Sequence, residues 1–143
     1  RYFNVYGCRQ RFDEYGNVIP IFAEKLYNKQ NLTIYGDGEQ TRDFVNVNDV
    51  ALANYLAATQ AKESTVYNIG SGKNITINYL AEVMKRLFDS NIESDFTLPR
   101  KGEVLHCRAD ILKITKDLGF QPNDDIEFGL KEYVAWFKKD KNT

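Results

Sequence analysis

The stretch Gly36-Asp37-Gly38-Glu39-Gln40-Thr41-Arg42 carries the plainest chemistry in the chain. Asp37 between two glycines is a turn pattern, because glycine adopts positive φ freely and Asp tolerates tight turns. Arg42 follows in a polar loop and precedes Phe44, Val45 and Val47, which read as buried or half-buried, so its position is fixed. A guanidinium is planar, permanently charged and matches a phosphate or carboxylate with paired donors. Two readings follow: an anion clamp beside the ring of Tyr35, or a surface turn in which Arg42 pairs with Asp43 or another acid. Arg100, in Pro99-Arg100-Lys101-Gly102, is a second guanidinium, with a plain solvated charge as the alternative reading. The single His106 and the two cysteines, Cys8 and Cys107, are too few for a multi-ligand metal site or a disulfide framework. All three read as structural.

The elements that must hold these side chains follow from periodicity. Residues 33–35 alternate like a short strand ending on Tyr35. Residues 1–4 read as the end of a buried strand, with a loop from Tyr6-Gly7 through Arg9, Gln10, Arg11, Asp13 and Glu14. A helix is predicted over residues 18–30, with Ile19, Phe22 and Leu26 on one face and Pro20 in its first turn. A second is predicted over 49–60, capped by Asn48, with Leu52, Tyr55, Leu56 and Thr59 on its face. Residues 66–69 read as a strand ending at the Gly70-Ser71-Gly72 turn. Thr76 caps a third helix striped by Leu80, Val83, Met84, Leu87 and Phe88. Residues 95–98 suggest a strand, followed by a charged loop over 99–104. Asp110 caps a short helix that Gly119 stops, and the last helix covers 126–138. Trp136 lies off its stripe, and Lys138 to Lys141 read as a solvated, frayed tail. The expected core includes Leu26, Leu56, Leu80, Leu87, Leu130 and Val134.

The chain has 143 residues, 43% hydrophobic and 27% charged, which fits one folded domain. A net charge of −1 argues against a general nucleic-acid surface. No apolar run reaches the roughly 18 residues a membrane span needs. With no secretory leader in view and few cysteines, a cytoplasmic protein is expected. The opening Arg1-Tyr2-Phe3-Asn4-Val5 reads as the middle of a strand, so an N-terminal portion is expected to precede it.

One ordered set of motifs then stands out. It runs Arg1-Tyr2-Phe3-Asn4-Val5-Tyr6-Gly7, Val18-Ile19-Pro20, Ile34-Tyr35-Gly36-Asp37-Gly38, Gln40-Thr41-Arg42-Asp43-Phe44, Asp49-Val50, Tyr67-Asn68-Ile69-Gly70-Ser71-Gly72, Gly102-Glu103-Val104 and Ala109-Asp110. This set resembles the C-terminal half of extended short-chain dehydrogenases/reductases, and most of all the NAD-dependent UDP-sugar 4-epimerases. The resemblance covers nearly the whole chain. It implies an α/β fold: the C-terminal part of a Rossmann-like extended fold, with residues 1–143 forming a small substrate-binding lobe of helices and short strands. The Gly-rich dinucleotide loop and the catalytic Tyr-x-x-x-Lys of that family are absent; Tyr55 is followed four residues on by Thr59, and Tyr79 by Val83. No catalytic residue and no metal ligand is therefore assigned to this chain.

The resemblance also implies roles. Phe3, with Tyr2 nearby, would lie beside the nicotinamide of NAD, whose main binding falls to the missing half. Asn4 would contact the diphosphate of a UDP-sugar; the alternative is that it only caps a loop. Asn17 and Val18 begin a helix that faces the substrate. Thr33 and Tyr35 would border the uracil, Arg42 and Arg100 would hold the diphosphate from two sides, and Glu103 would reach the ribose hydroxyls. Two positions depart from the family pattern: Cys8 replaces a proline, and Glu103 stands where aspartate is common. The implied parent is a homodimeric UDP-sugar 4-epimerase using NAD, with no nucleic-acid or membrane partner. A 4,6-dehydratase or reductase of the same family is one alternative. A non-catalytic nucleotide-sugar binding module is another.

Overall fold

The computed structural model describes residues 1–12, 17–123 and 125–142. Asp13 and Glu14 of the expected charged loop lie outside the described residues. The elements run β1 (Asn4–Tyr6), α1 (Val18–Tyr27), β2 (Leu32–Tyr35), β3 (Thr41–Arg42), β4 (Phe44–Asn46), α2 (Val47–Gln60), β5 (Ile75–Thr76), α3 (Ile77–Phe88), β6 (Ser94–Thr97), α4 (Leu112–Leu118) and α5 (Ile126–Lys141). The α/β class expected from the sequence holds.

The strands form pairs, not one broad sheet. β1 and β4 are parallel, with Asn4 opposite Phe44 and Tyr6 opposite Asn46. β2 and β6 are parallel, with Thr33 opposite Asp95 and Tyr35 opposite Thr97. β3 and β5 are antiparallel, with Arg42 opposite Ile75. Parallel pairing needs a crossover, and here helices supply it. α1 and α3 pack on one another and α3 on α5, while α2 packs against β4 and α4.

Two apolar cores result. The larger joins α1, β2, α3 and α5 through Phe22, Leu26, Leu80, Met84, Leu130, Tyr133 and Val134. The smaller joins β4, α2 and α4 through Val45, Val50, Ala53, Ile69, Ile114, Leu118 and Phe120. The α3 stripe and its Thr76 cap, which accepts from Tyr79 N, agree with the sequence. So does the stop at Gly119, which adopts φ +65.

Several expectations need correction. α1 ends at Tyr27, not residue 30, and Asn28 closes it. α2 starts at Val47 and is capped by Asn46, whose side chain accepts from Asn48 N at 2.9 Å. Its inward residues are Asp49, Val50 and Ala53; Leu52 and Tyr55 are exposed, and so is Val47. Leu56 and Leu87 only border the cores. Residues 66–69 form no strand; Ile69 alone bridges Tyr2. Residues 1–4 are not buried, since Tyr2 is exposed and only Tyr6 of β1 is fully covered. Asp110 accepts from Leu112 N, but Ile111 is the cap position of α4. The tail does not fray: α5 continues to Lys141, with Lys138 Nζ donating to Leu87 O and Lys141 paired with Glu24.

Candidate functional site

A cavity of about 590 Å³ opens between α1, β2, β3 and the loop after β6. Asn4, Asn17, Val18, Thr33, Tyr35, Arg42, Arg100 and Glu103 all line it, so the eight residues expected at a substrate converge on one wall system. Tyr2 and Phe3 do not line it. Tyr2 donates its hydroxyl to Asn54 Oδ1 at 2.8 Å, and Phe3 N donates to Ile69 O at 2.9 Å.

Each side chain is set by local structure. Asn17 sits at the N-terminus of α1 and donates its amide to Val5 O at 3.1 Å, tying the helix start to β1. Asn4 donates its amide to Asp43 O at 2.8 Å, the loop-fastening role open to it from sequence. β2 carries Thr33 and Tyr35 to the rim. The following turn is closed by Asn78, which donates to Asp37 O at 2.9 Å and Glu39 Oε1 at 2.6 Å. Gly38 adopts φ +78 there, and a Cβ on it would collide with the Asn78 side-chain amide. Buried Gln40 donates to Tyr35 O at 2.8 Å and accepts from Ile77 N, locking β2 to α3.

Arg42 lies on β3, not in a loop. Its Nη2 donates to Glu103 Oε1 at 2.6 Å, and its Nη1 donates to Thr41 O at 2.9 Å and Val104 O at 2.7 Å. The sequence named Asp43 or another acid as its partner; the partner is Glu103. Asp43 is fully buried instead and accepts from Ser71 N, Ser71 Oγ, Gly72 N and Ala109 N at 2.7–3.0 Å. It staples the Gly70-Ser71-Gly72 turn and residue 109 to the back of β3. Arg100 lies over the Tyr35 ring, with Cζ 4.0 Å from its centroid, a cation–π contact. Arg100 is exposed, with its guanidinium stacked on that ring.

Sequence reasoning missed one cation. Lys25 lines the cavity and donates to Thr33 Oγ1 at 2.5 Å and Asn31 O at 3.2 Å. The signal was present in the spacing: Val18, Ile21, Phe22 and Lys25 recur as one helical face, and all four line the cavity. The charged lining is thus Lys25, Arg42 and Arg100 against the single carboxylate of Glu103. In a chain of net charge −1, that is a local cationic excess suited to an anion. A second hollow of about 740 Å³ shares Tyr35, Gln40, Arg100 and Glu103 with the first and adds the exposed Phe96, Leu98 and Leu105.

Among the described residues, no group of three or more His, Cys, Asp or Glu side chains is placed to hold a metal ion. None of their helices is long and apolar enough to cross a membrane. Cys8 and Cys107 are both free thiols.

Residues 1–70 match the model of the NAD dependent epimerase/dehydratase family. The chain belongs to this family. Among solved structures it is similar to UDP-glucose 4-epimerase from Thermotoga maritima with UDP-glucose, at 38% identity and a TM-score of 0.93 over 99% of this chain and 45% of that one. It is similar to UDP-N-acetylglucosamine 4-epimerase from Methanobrevibacter ruminantium in complex with UDP-N-acetylmuramic acid, at 39% identity and a TM-score of 0.92 over 98% and 45%. Among curated relatives, UDP-glucuronate 4-epimerase of Thermodesulfobacterium geofontis is 36% identical over 97% of this chain and 42% of its own length. The chain spans less than half the length of the relatives it matches.

The family is NAD-dependent, but the residues present do not fit the main part of a dinucleotide. A pyrophosphate is held where a strand feeds a Gly-rich turn and a helix N-terminus. Among the described residues β4 runs directly into α2 and β5 directly into α3, and the glycine turn after β2 leads to another strand, while the connection from β1 to α1 lies partly outside the described residues.

Proposed function

We propose that this chain is the nucleotide-sugar-binding portion of an NAD-dependent UDP-sugar 4-epimerase. The observation that carries the reading is the cavity itself, where three cations and two hydrogen-bonding asparagines converge beside a tyrosine ring. A UDP-sugar has a flat base, vicinal ribose hydroxyls and a diphosphate. The lining offers a counterpart to each: Thr33 and Tyr35 for the base, Glu103 as hydroxyl acceptor, Arg42 and Arg100 for the diphosphate, and Asn4 alongside. Lys25 adds a third cation near Thr33. Charge-assisted hydrogen bonds contribute roughly 1.5–3 kcal/mol each, so two guanidiniums could account for much of the nucleotide affinity. Bound NAD supplies the hydride chemistry of such an enzyme; this chain binds and orients the substrate. Relatives that are 4-epimerases of UDP-glucose, UDP-N-acetylglucosamine and UDP-glucuronate support the reaction class and leave the sugar open.

The test is activity of the full-length protein on these three UDP-sugars, with product separated by anion-exchange chromatography. Interconversion of at least one 4-epimer pair is expected. Irreversible loss of water, or no turnover with intact UDP binding, would replace the epimerase by a dehydratase or a binding module respectively.

A further inference from the structure

Lys25 is half-buried on the cavity wall, and its ammonium donates to Thr33 Oγ1 at 2.5 Å and to Asn31 O at 3.2 Å. Both acceptors are neutral. Among the described residues no carboxylate pairs with Lys25, whereas Arg42 has Glu103. An ammonium carries three donors, so one is left for the cavity. Leaving a donor of a half-buried cation without an acceptor is costly, and a ligand that brings the acceptor removes that cost.

The place of Lys25 along the cavity says which part of a ligand meets it. Asn17 fastens the start of α1 to Val5 O, and Asn4, on the same strand as Val5, fastens Asp43 O beside Arg42. The Val18 end of α1 is therefore the Arg42 end of the cavity. Lys25 lies two turns further on, about 10 Å along the helix axis, against Thr33 near the start of β2. A diphosphate held by Arg42 is shorter than that span, and the base of the same nucleotide covers the remainder.

We propose that Lys25 is a specificity-determining residue that reads the outer edge of the base, admitting a carbonyl there and rejecting an amino group. The inference rests on the nucleotide-sugar reading above and adds to it a choice between pyrimidines that the phosphate and ribose contacts cannot make. Uracil presents the carbonyl oxygen O4, which accepts from an ammonium. Cytosine presents an amino group at the same position, so two donors face each other and neither is satisfied. A site built to make such a hydrogen bond rejects the mismatched ligand far more strongly than a difference in size would.

The test is calorimetric titration of UDP and of CDP, separately, into the full-length protein as wild type, Lys25→Met and Lys25→Gln. The two nucleotides share ribose and diphosphate, so whatever Arg42, Arg100 and Glu103 contribute cancels in their ratio. The wild type should bind UDP about tenfold to a hundredfold more tightly than CDP. Lys25→Met keeps the apolar stem and should weaken UDP about tenfold while leaving CDP unchanged or tighter. Lys25→Gln carries a carboxamide that both donates and accepts, so it should bind the two nearly alike. A purely structural role predicts something else. Lys25 lies in the last turn of α1, where a cation suits the helix C-terminus, and its bond to Asn31 O braces the turn into β2. Were that its only role, both variants would unfold at lower temperature and weaken UDP and CDP equally. An unchanged ratio of UDP to CDP affinity in both variants, or a wild type that binds the two alike, overturns this inference alone. A wild type that binds neither overturns the nucleotide-sugar reading as well.

Discussion

Arg42 and Asp43 are adjacent, carry opposite charge and have entirely separate roles. On a strand, successive side chains point to opposite faces, so Arg42 reaches the cavity while Asp43 turns inward. Burial without a compensating network would be prohibitive for a carboxylate; the four N–H and O–H donors from residues 71, 72 and 109 provide that network. Replacing Asp43 by Asn turns one acceptor into a donor that faces existing donors. Asp43→Asn should therefore lower stability by about 3 kcal/mol or more, read as a fall in unfolding temperature. A surface ion pair between neighbours would give at most about 1 kcal/mol. The fork chemistry of Arg42 was legible from its residue type and setting. Its partner was not, because Glu103 lies 61 positions away and is brought close only when residues 103–107 lie along β3.

At the scale of elements, legibility followed the clarity of the pattern. α3 has one apolar stripe and one obvious cap, and both were readable. α2 carries apolar residues all round, so spacing could not choose between the Leu52–Tyr55 side and the Val50–Ala53 side; contact with β4 and α4 decided it. Two asparagines at its start, Asn46 and Asn48, compete for the cap, and β4 fixes the earlier one by ending there. Strand pairing was not readable, because two- to four-residue strands carry too little alternation to reveal their partners. The turn after β2 was readable, and it makes a quantitative prediction. Gly38→Ala forces a left-handed alanine against Asn78, so it should cost about 1–3 kcal/mol and loosen the Asp37–Asn78 contact. Gly102→Ala has the same backbone strain at φ +79 but no atom within 4 Å, so thermal unfolding should rank it as the milder change. Equal losses would mean that Asn78 yields freely and does not brace the turn.

Across the whole molecule, the two cores leave the cavity between rigid walls. α1 is bound to the larger core through Ile19, Phe22, Ala23 and Leu26 and presents Ile21 and Lys25 to the cavity, with Val18 and Phe22 touching both. β3 is held on one side by β5 and on the other by residues 103–107. The charged lining is thereby placed before any ligand arrives, which keeps the entropy loss of binding small. Such a contact acts on ground and transition states alike, so its loss should appear in KM and not in kcat. The central claim is that Arg42 grips the diphosphate of a UDP-sugar, and steady-state kinetics of Arg42→Ala and Arg42→Lys in the full-length enzyme tests it most directly. Arg42→Ala should raise KM for the UDP-sugar about tenfold to a hundredfold, since each 1.4 kcal/mol is worth a factor of about ten. Arg42→Lys should recover only part of the loss, because an ammonium cannot present the paired fork. NAD retention should be unchanged in both. An unaltered KM in a normally folded Arg42→Ala enzyme would contradict the account, leaving the Arg42–Glu103 pair as a structural clasp of the loop after β6.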